Sequence, residues 1–238
     1  MARRALVSGT TKGVGRQAAD ALVRRGFEVT TLDLDLASPP DLAGPPDLAA
    51  VRRAAAEAAA PGPLDVLLQL GPHPLGHLAV TGLLLPNLLA SGTGRVVTVS
   101  SPAARLARSS RWPSYAGSML ANLVLTVELD RRARAAGAPL TAVAAHPGWV
   151  TADGQVGGAI GVAAARLVGQ SAAAGAQALV RAATDPGLEG GEYVGPGGPF
   201  GLHGPPRVVP MPRSARDPAS AARLWEDAER VTGVVPRF

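Results

Sequence analysis

Residues 5–15 read Ala5-Leu6-Val7-Ser8-Gly9-Thr10-Thr11-Lys12-Gly13-Val14-Gly15, a short apolar run that passes straight into a glycine-rich turn. Over residues 14–25 the chain then sets Ala18, Ala21 and Leu22 at helical spacing, so the segment reads as strand, turn, helix. Glycines let the backbone approach a pyrophosphate, and a helix start offers unpaired amides with a partial positive charge. Residues 27–34 predict the next strand, closed by Asp33, where a carboxylate accepts hydrogen bonds from an adenosine ribose and repels a 2′-phosphate. The expected dinucleotide cradle is therefore Gly9, Thr10, Thr11, Lys12, Gly13, Val14 and Gly15, with Asp33 pointing to NAD. Lys12 argues the other way, since a cation beside the ribose favours NADP; Asp33 is given the greater weight.

Outward from this turn, apolar strand segments recur at residues 64–70, 94–99 and 140–145, interleaved with helical patterns at 48–60, 115–135 and 160–183. The alternation predicts one α/β domain over residues 1–238, a Rossmann-like doubly wound parallel sheet with helices on both faces. Residues 35–50 interrupt it with a six-residue motif in tandem, Asp-Leu-Ala-Ser-Pro-Pro, Asp-Leu-Ala-Gly-Pro-Pro, Asp-Leu-Ala-Ala. Prolines this dense exclude a central strand and a helix interior. The third strand and its crossover helix are thus expected to be lost, leaving six parallel strands in place of seven, with Asp47 as N-cap of the helix at 48–60. The repeat itself is read as a solvated turn in preference to a binding loop. Residues 187–212, rich in glycine and proline, are expected to form a loop over the sheet's edge before a terminal helix at 215–232.

Composition narrows the function. The formal charge of +5 comes from 22 arginines and one lysine scattered in pairs, and aromatics are only 3%; a basic stripe with interleaved aromatics, as a nucleic-acid surface requires, is missing. No cysteine is present, which removes disulfides, thiolate catalysis and cysteine-based metal sites. No stretch approaches the roughly 18 apolar residues of a membrane span, so a cytoplasmic protein with no membrane or nucleic-acid partner is expected.

Residues 97–101, Val-Thr-Val-Ser-Ser, end a strand, and Tyr115 opens the helix after a loop that holds Arg105, Arg108 and Arg111. In a doubly wound sheet the carboxyl ends of the strands face the ligand crevice, which puts Ser101 and Tyr115 within reach of a substrate oxygen. Taken singly, they read as a strand-end cap and a packed aromatic. His73, with a reference pKa near 6.5, is a third catalytic candidate, the alternative being a hydrogen-bonded structural histidine. His73 and His77 are spaced i, i+4, but Pro74 lies between them and no carboxylate accompanies them, so no metal site is expected.

These segments together resemble the short-chain dehydrogenase/reductase family, nearly from end to end. The stretches Leu64-Asp65-Val66-Leu67-Leu68, Leu75-Gly76-His77-Leu78-Ala79-Val80-Thr81-Gly82, Ala121-Asn122-Leu123 with Glu128-Leu129-Asp130-Arg131-Arg132, His146-Pro147-Gly148 and Gly190-Gly191-Glu192-Tyr193-Val194-Gly195-Pro196 are similar to its retinol-dehydrogenase-like and protochlorophyllide-reductase-like branch. The resemblance implies a serine that orients a substrate carbonyl, Ser101, and a tyrosine acid/base, Tyr115. It implies a lysine that holds the nicotinamide ribose and favours the tyrosinate, but Met119 stands at that position. An asparagine that keeps a relay water corresponds to His73. Pro147 and Gly148 match the segment that brackets the nicotinamide, with Thr151 at its carboxamide.

The expectation is an NAD(P)-dependent oxidoreductase acting on a small carbonyl or alcohol, as a homo-oligomer packed through helices at 83–89 and 115–135. A phenol moves protons near neutral pH only with a fixed positive charge beside it. Loss of the lysine then implies a rate penalty of several powers of ten unless an arginine of the 105–111 loop replaces it. The alternatives are a non-redox isomerase, dehydratase or cyclase using Ser101, Tyr115 and His73, and a silent binding subunit.

Overall fold

The computed structural model describes residues 2–9, 12–32, 47–107, 114–150 and 169–238. Seven strands form one sheet in the order β2-β1-β3-β4-β5-β6-β7. β1 (Arg3–Ser8) lies between β2 (Phe27–Leu32) and β3 (Val66–Gln69), and β4 (Gly94–Val99), β5 (Leu140–Ala145) and β6 (Tyr193–Pro196) follow, all six parallel. β7 (Pro206–Val208) closes that side antiparallel to β6. The chain thus steps from β1 to one neighbour and later to the other, which creates a switch point between the carboxyl ends of β1 and β3.

Helices cover both faces because the central strands are apolar on both sides. α1 (Gly13–Val23) and α5 (Ala172–Thr184) bury Ala18, Leu22, Ala176 and Leu179 against Val7, Leu68, Val97 and Val143 on one face. On the other, α2 (Leu48–Ala59), α3 (Pro74–Ala90), α4 (Tyr115–Ala135) and α6 (Pro218–Thr232) enclose a larger core built around Leu6, Leu67, Val96, Leu120, Leu123 and Trp225. Within it Glu128 takes bidentate hydrogen bonds from Arg131 (2.8 and 2.7 Å) and one from Arg132 (2.7 Å), while the Arg132 guanidinium sits 4.6 Å above the Trp225 ring. That stack clamps α6 onto α4 through the aliphatic and aromatic surfaces that an arginine shares with tryptophan.

Six strands run parallel, the number the sequence reading expected, but β7 makes a seventh strand in the sheet. Asp47 caps α2 as expected, its carboxylate accepting from Ala49 and Ala50 N–H at 3.0 Å each. Three readings are corrected. The 187–212 segment is not simply a loop, since it contributes β6 and β7. The terminal helix starts at Pro218 behind an Asp217 cap, residues Arg213–Arg216 forming a separate 3₁₀ turn. Within the helix expected over 160–183, residues 169–171 are not helical and α5 starts at Ala172, because Gln170 pairs its backbone with Trp149 and Val150 and Ser171 caps the helix. The proline repeat over 35–46 and residues 160–168 lie outside the described residues. Among the described residues, no helix is long and apolar enough to cross a membrane.

Candidate active site

The glycine turn follows β1 at the switch point. Gly9, at φ +121°, has its Cα hydrogens against the end of β3, where a Cβ would fall 2.6 Å from the Leu70 carbonyl oxygen. Any side chain there would part the two strand ends. Lys12 precedes α1 in extended conformation, and its side chain supplies no cap to the helix. Gly13 has φ +55° and no protein atom within 4 Å of where its Cβ would stand, while Gly15 is buried in the helix; Val14 is partly buried against the smaller core. The described residues fit a pyrophosphate at this point: a helix start, whose first-turn amides have no partner within the helix itself, and a glycine backbone that a ligand can approach closely. Thr10, Thr11 and Asp33 lie outside the described residues.

At the far side of β3, β4 delivers Ser100 and Ser101. Ser100 is buried and donates its hydroxyl proton to the Met119 carbonyl (2.9 Å), tying β4 to the first turns of α4. The Ser101 Oγ accepts from Ala103 N–H at 3.2 Å and so starts the 3₁₀ turn Pro102–Leu106. Its O–H remains available to donate outward. Tyr115 is the first residue of α4, held there by Ser114, which accepts from Gly117 N–H at 3.1 Å. Half of Tyr115 is exposed, while Met119 is 2% exposed and packs into the larger core. The thioether thus contributes packing and no charge where the family resemblance implies an ammonium.

Behind these residues lies a buried wall that sequence reasoning did not assemble. The Tyr193 hydroxyl at the start of β6 is buried beside Ser100, with Arg105 and the Tyr115 phenol near enough to act on it electrostatically. Burial, opposed by Ser100 and Arg105, pushes the Tyr193 phenol above the ordinary tyrosine range. The Tyr193 hydroxyl has no hydrogen-bond partner among the described residues. The His146 ring packs 4.9 Å from the Tyr193 ring, and its Nδ1 accepts from Gly148 N–H at 3.2 Å, which places the ring proton on Nε2. Burial, and secondarily Arg105, lowers the His146 pKa to about 4, so the ring is neutral. Gly195 has to be glycine, because a Cβ there would fall 1.9 Å from His146 Nε2. Tyr193 is one of only two tyrosines in the chain and stands in the quoted glycine-rich motif, the one signal that marks it in the sequence.

Gly148, at φ +70°, approaches Leu202 so closely that a Cβ would lie 2.3 Å from its carbonyl oxygen. Trp149 N–H donates to that same carbonyl (2.7 Å), and the Pro147 carbonyl accepts from Gln170 Nε2 (2.6 Å), so Pro147 and Gly148 form a fixed rim. Between this rim and the Ser101 turn opens a cleft of about 550 Å³, lined by Ser101, Arg105, Trp149, Phe200 and Leu202 among others. Thr151, Arg108 and Arg111 lie outside the described residues.

His73 is placed differently. Its backbone carbonyl starts α3 by accepting from His77 N–H (2.8 Å), and its ring folds back over Gly71, edge-on to His77 with centroids 6.2 Å apart. Neither His73 nor Tyr115 is among the residues that line the Ser101 cleft. His77 is buried and donates from Nε2 to the Leu70 carbonyl (3.2 Å); burial and the neighbouring His73 bring its pKa to about 3. Among the described residues, no group of three or more His, Cys, Asp or Glu side chains surrounds the pair. Asn122, quoted above only as part of a family stretch, proves to be the buried brace of the region: its Nδ2 donates to the carbonyls of Gly71 (3.0 Å) and Val99 (2.9 Å).

No family model matches the chain. The polyprenol dehydrogenase of Mus musculus is 32% identical over 97% of this chain and 84% of its own length. Dehydrogenase/reductase SDR family member 13 of Bos taurus is 29% identical over 98% of this chain and 74% of its own length. A crystal structure of a protein from Mycobacterium paratuberculosis superposes with a TM-score of 0.73 at 32% identity, covering 99% of this chain and 95% of that one.

Proposed function

This chain belongs to the short-chain dehydrogenase/reductase family of oxidoreductases, and we propose that it transfers a hydride between a nicotinamide cofactor and a small carbonyl or alcohol substrate, with Ser101 and Tyr115 at the reacting oxygen. The observation that carries this is the gathering of both hydroxyls at one carboxyl edge of the sheet, with the glycine turn at the switch point beside them. When bound, a nicotinamide would supply or accept the hydride. Ser101 donates its O–H to the substrate oxygen, and Tyr115 transfers the proton. Asn122 holds the ends of β3 and β4 in register with α4, and Ser100 fixes Met119's backbone, so that the two hydroxyls keep their spacing. Pro147, Gly148 and Thr151 are the proposed rim for the nicotinamide, and Asp33 supports NAD over NADP.

Met119 lowers the expected rate, because no ammonium accompanies the phenol. Its burial also favours a second reading, in which the same hydroxyls polarise an oxygen without hydride transfer, as in an isomerase or dehydratase. Calorimetric titration with NADH and NADPH separates the two. The redox reading expects micromolar affinity with NADH the tighter ligand, and a drop of about 10²-fold or more in ketone reduction for Tyr115→Phe. Absence of binding at millimolar cofactor would overturn it in favour of the non-redox reading.

A further inference from the structure

The Ser101 cleft has a chemical character of its own. Among the described residues that line it, Arg105 is the only charged one, and the rest of the wall is backbone and apolar side chain apart from Ser101. Its mouth carries large apolar groups held out in solvent: Leu106 is 80% exposed, Phe200 86% and Trp149 43%. Phe200 is there at a conformational cost, being the one non-glycine residue with positive φ (55°) among the described residues. The turn that holds it is locked by Gly201 N–H to the Gly198 carbonyl (3.0 Å) and Leu202 N–H to the Pro199 carbonyl (3.1 Å). A strained backbone that projects a phenyl ring into water at the lip of a cleft points to a ligand that covers the ring.

Arg105 is equally set up for a partner that the chain does not itself provide. One nitrogen of its guanidinium donates to the Pro210 carbonyl (3.1 Å), which steadies the group, and among the described residues no carboxylate pairs with it. Its remaining N–H donors form the fork that matches a carboxylate or phosphate. Arg105 is exposed at the cleft, with its charge near enough to act on the buried Tyr193 and His146.

We infer that the substrate is an apolar molecule bearing a single acidic head group, which the Arg105 guanidinium anchors while Trp149, Phe200 and Leu106 cover its body. This deepens the hydride-transfer reading, and rests on it only for placing the reacting oxygen at Ser101. A neutral apolar ligand would leave the cation unanswered, and a small polar anion would leave the exposed rings unused. Charge and shape together select the amphipathic acid.

The test uses the full chain without cofactor and two probes that share one apolar body, decanoate and decanamide, titrated by calorimetry. Decanoate should bind about ten-fold tighter than decanamide, the worth of one charge-assisted contact, and the preference should shrink in high salt. Arg105→Met should abolish that preference, Arg105→Lys should keep part of it, and Phe200→Ser should weaken both probes alike. Equal affinity of the two probes in the wild-type chain overturns the inference, as does a preference that survives Arg105→Met. Should Arg105→Met fail to fold, Arg105→Lys and the salt dependence still decide. NADH binding without a head-group preference sinks this inference alone, whereas the preference without NADH binding sinks the redox reading alone.

Discussion

Ser100 reaches across from the end of β4 to donate its hydroxyl proton to the backbone carbonyl of Met119, 2.9 Å away. The strand that carries Ser101 is thereby fixed to the helix that carries Tyr115 through the backbone of residue 119, a bond that does not depend on which side chain stands there. A thioether at residue 119 therefore costs the family's ammonium and leaves this bond in place.

Met119→Lys tests this separation of roles. The Ser100 bond should persist, while the new ammonium has to leave a site that is 2% exposed or lose its hydration, so thermal stability should fall. With cofactor present, ketone reduction should nonetheless rise on the order of ten-fold or more, because a cation beside the phenol favours its ionised form. Unchanged turnover in a folded variant would show that the site serves other chemistry.

Asn122→Leu removes the donor that satisfies the carbonyls of Gly71 and Val99 at once. Two acceptors at the ends of β3 and β4 lose their partner, and urea denaturation should show a loss of about 2–4 kcal/mol. A loss below about 0.5 kcal/mol would mean that water or a shifted side chain takes the place of the amide.

A Cβ on Gly190 would fall 1.5 Å from the Asp130 Oδ1, which is itself buried and accepts from Ala142 N–H at 3.4 Å. Asp130 also pairs with Arg134. Gly190→Ala must displace that carboxylate, and a loss of about 3 kcal/mol is expected from overpacking and from the disturbed buried charge. Adding Asp130→Ala should recover part of the loss; a double variant no more stable than Gly190→Ala would place the cause elsewhere.

Acid should destabilise the fold through its neutral buried histidines. His146 has its pKa lowered from 6.5 to about 4 and His77 to about 3, chiefly by burial, so the unfolded chain takes up their protons first. Their contribution is complete above pH 6.5 and is lost as pH falls through the window down to about 4 for His146 and about 3 for His77. For His146 the total is on the order of 3 kcal/mol. Denaturant unfolding between pH 7 and 4 should show a shallower decline for His146→Asn, which keeps an acceptor for Gly148 N–H but does not titrate. Parallel curves for the two proteins would rule His146 out.

Local elements were legible where one segment's own chemistry decides them. The helix Tyr115–Ala135 and the strand Leu140–Ala145 have the bounds that periodicity predicts, and Asp47 caps α2 because its carboxylate needs only the next three residues to do so. β6 and β7 escaped notice because they are short, rich in glycine and proline, and exist as strands only through pairing with β5 and with each other. The start of α5 was misread for a similar reason: an alanine-rich run is helical by propensity, yet Gln170 is claimed by Trp149 and Val150, some twenty residues away. His73 was grouped with Ser101 and Tyr115, but its ring turns back upon Gly71.

The sequence by itself determined the order and kind of the elements, the glycine turn that precedes α1, and the absence of a lysine four residues beyond Tyr115. These depend on residue spacing along a few turns of chain, where period and turn chemistry act directly. Only the tertiary structure decided that the buried Ser100, Tyr193 and His146 share one wall behind Ser101, that Arg105 lines the cleft in front of it, and that Met119 faces the core. Parallel strands meet through long crossovers, so the neighbours of a side chain at a strand end are fixed by sheet order and by burial, and neither is written in the residues next to it.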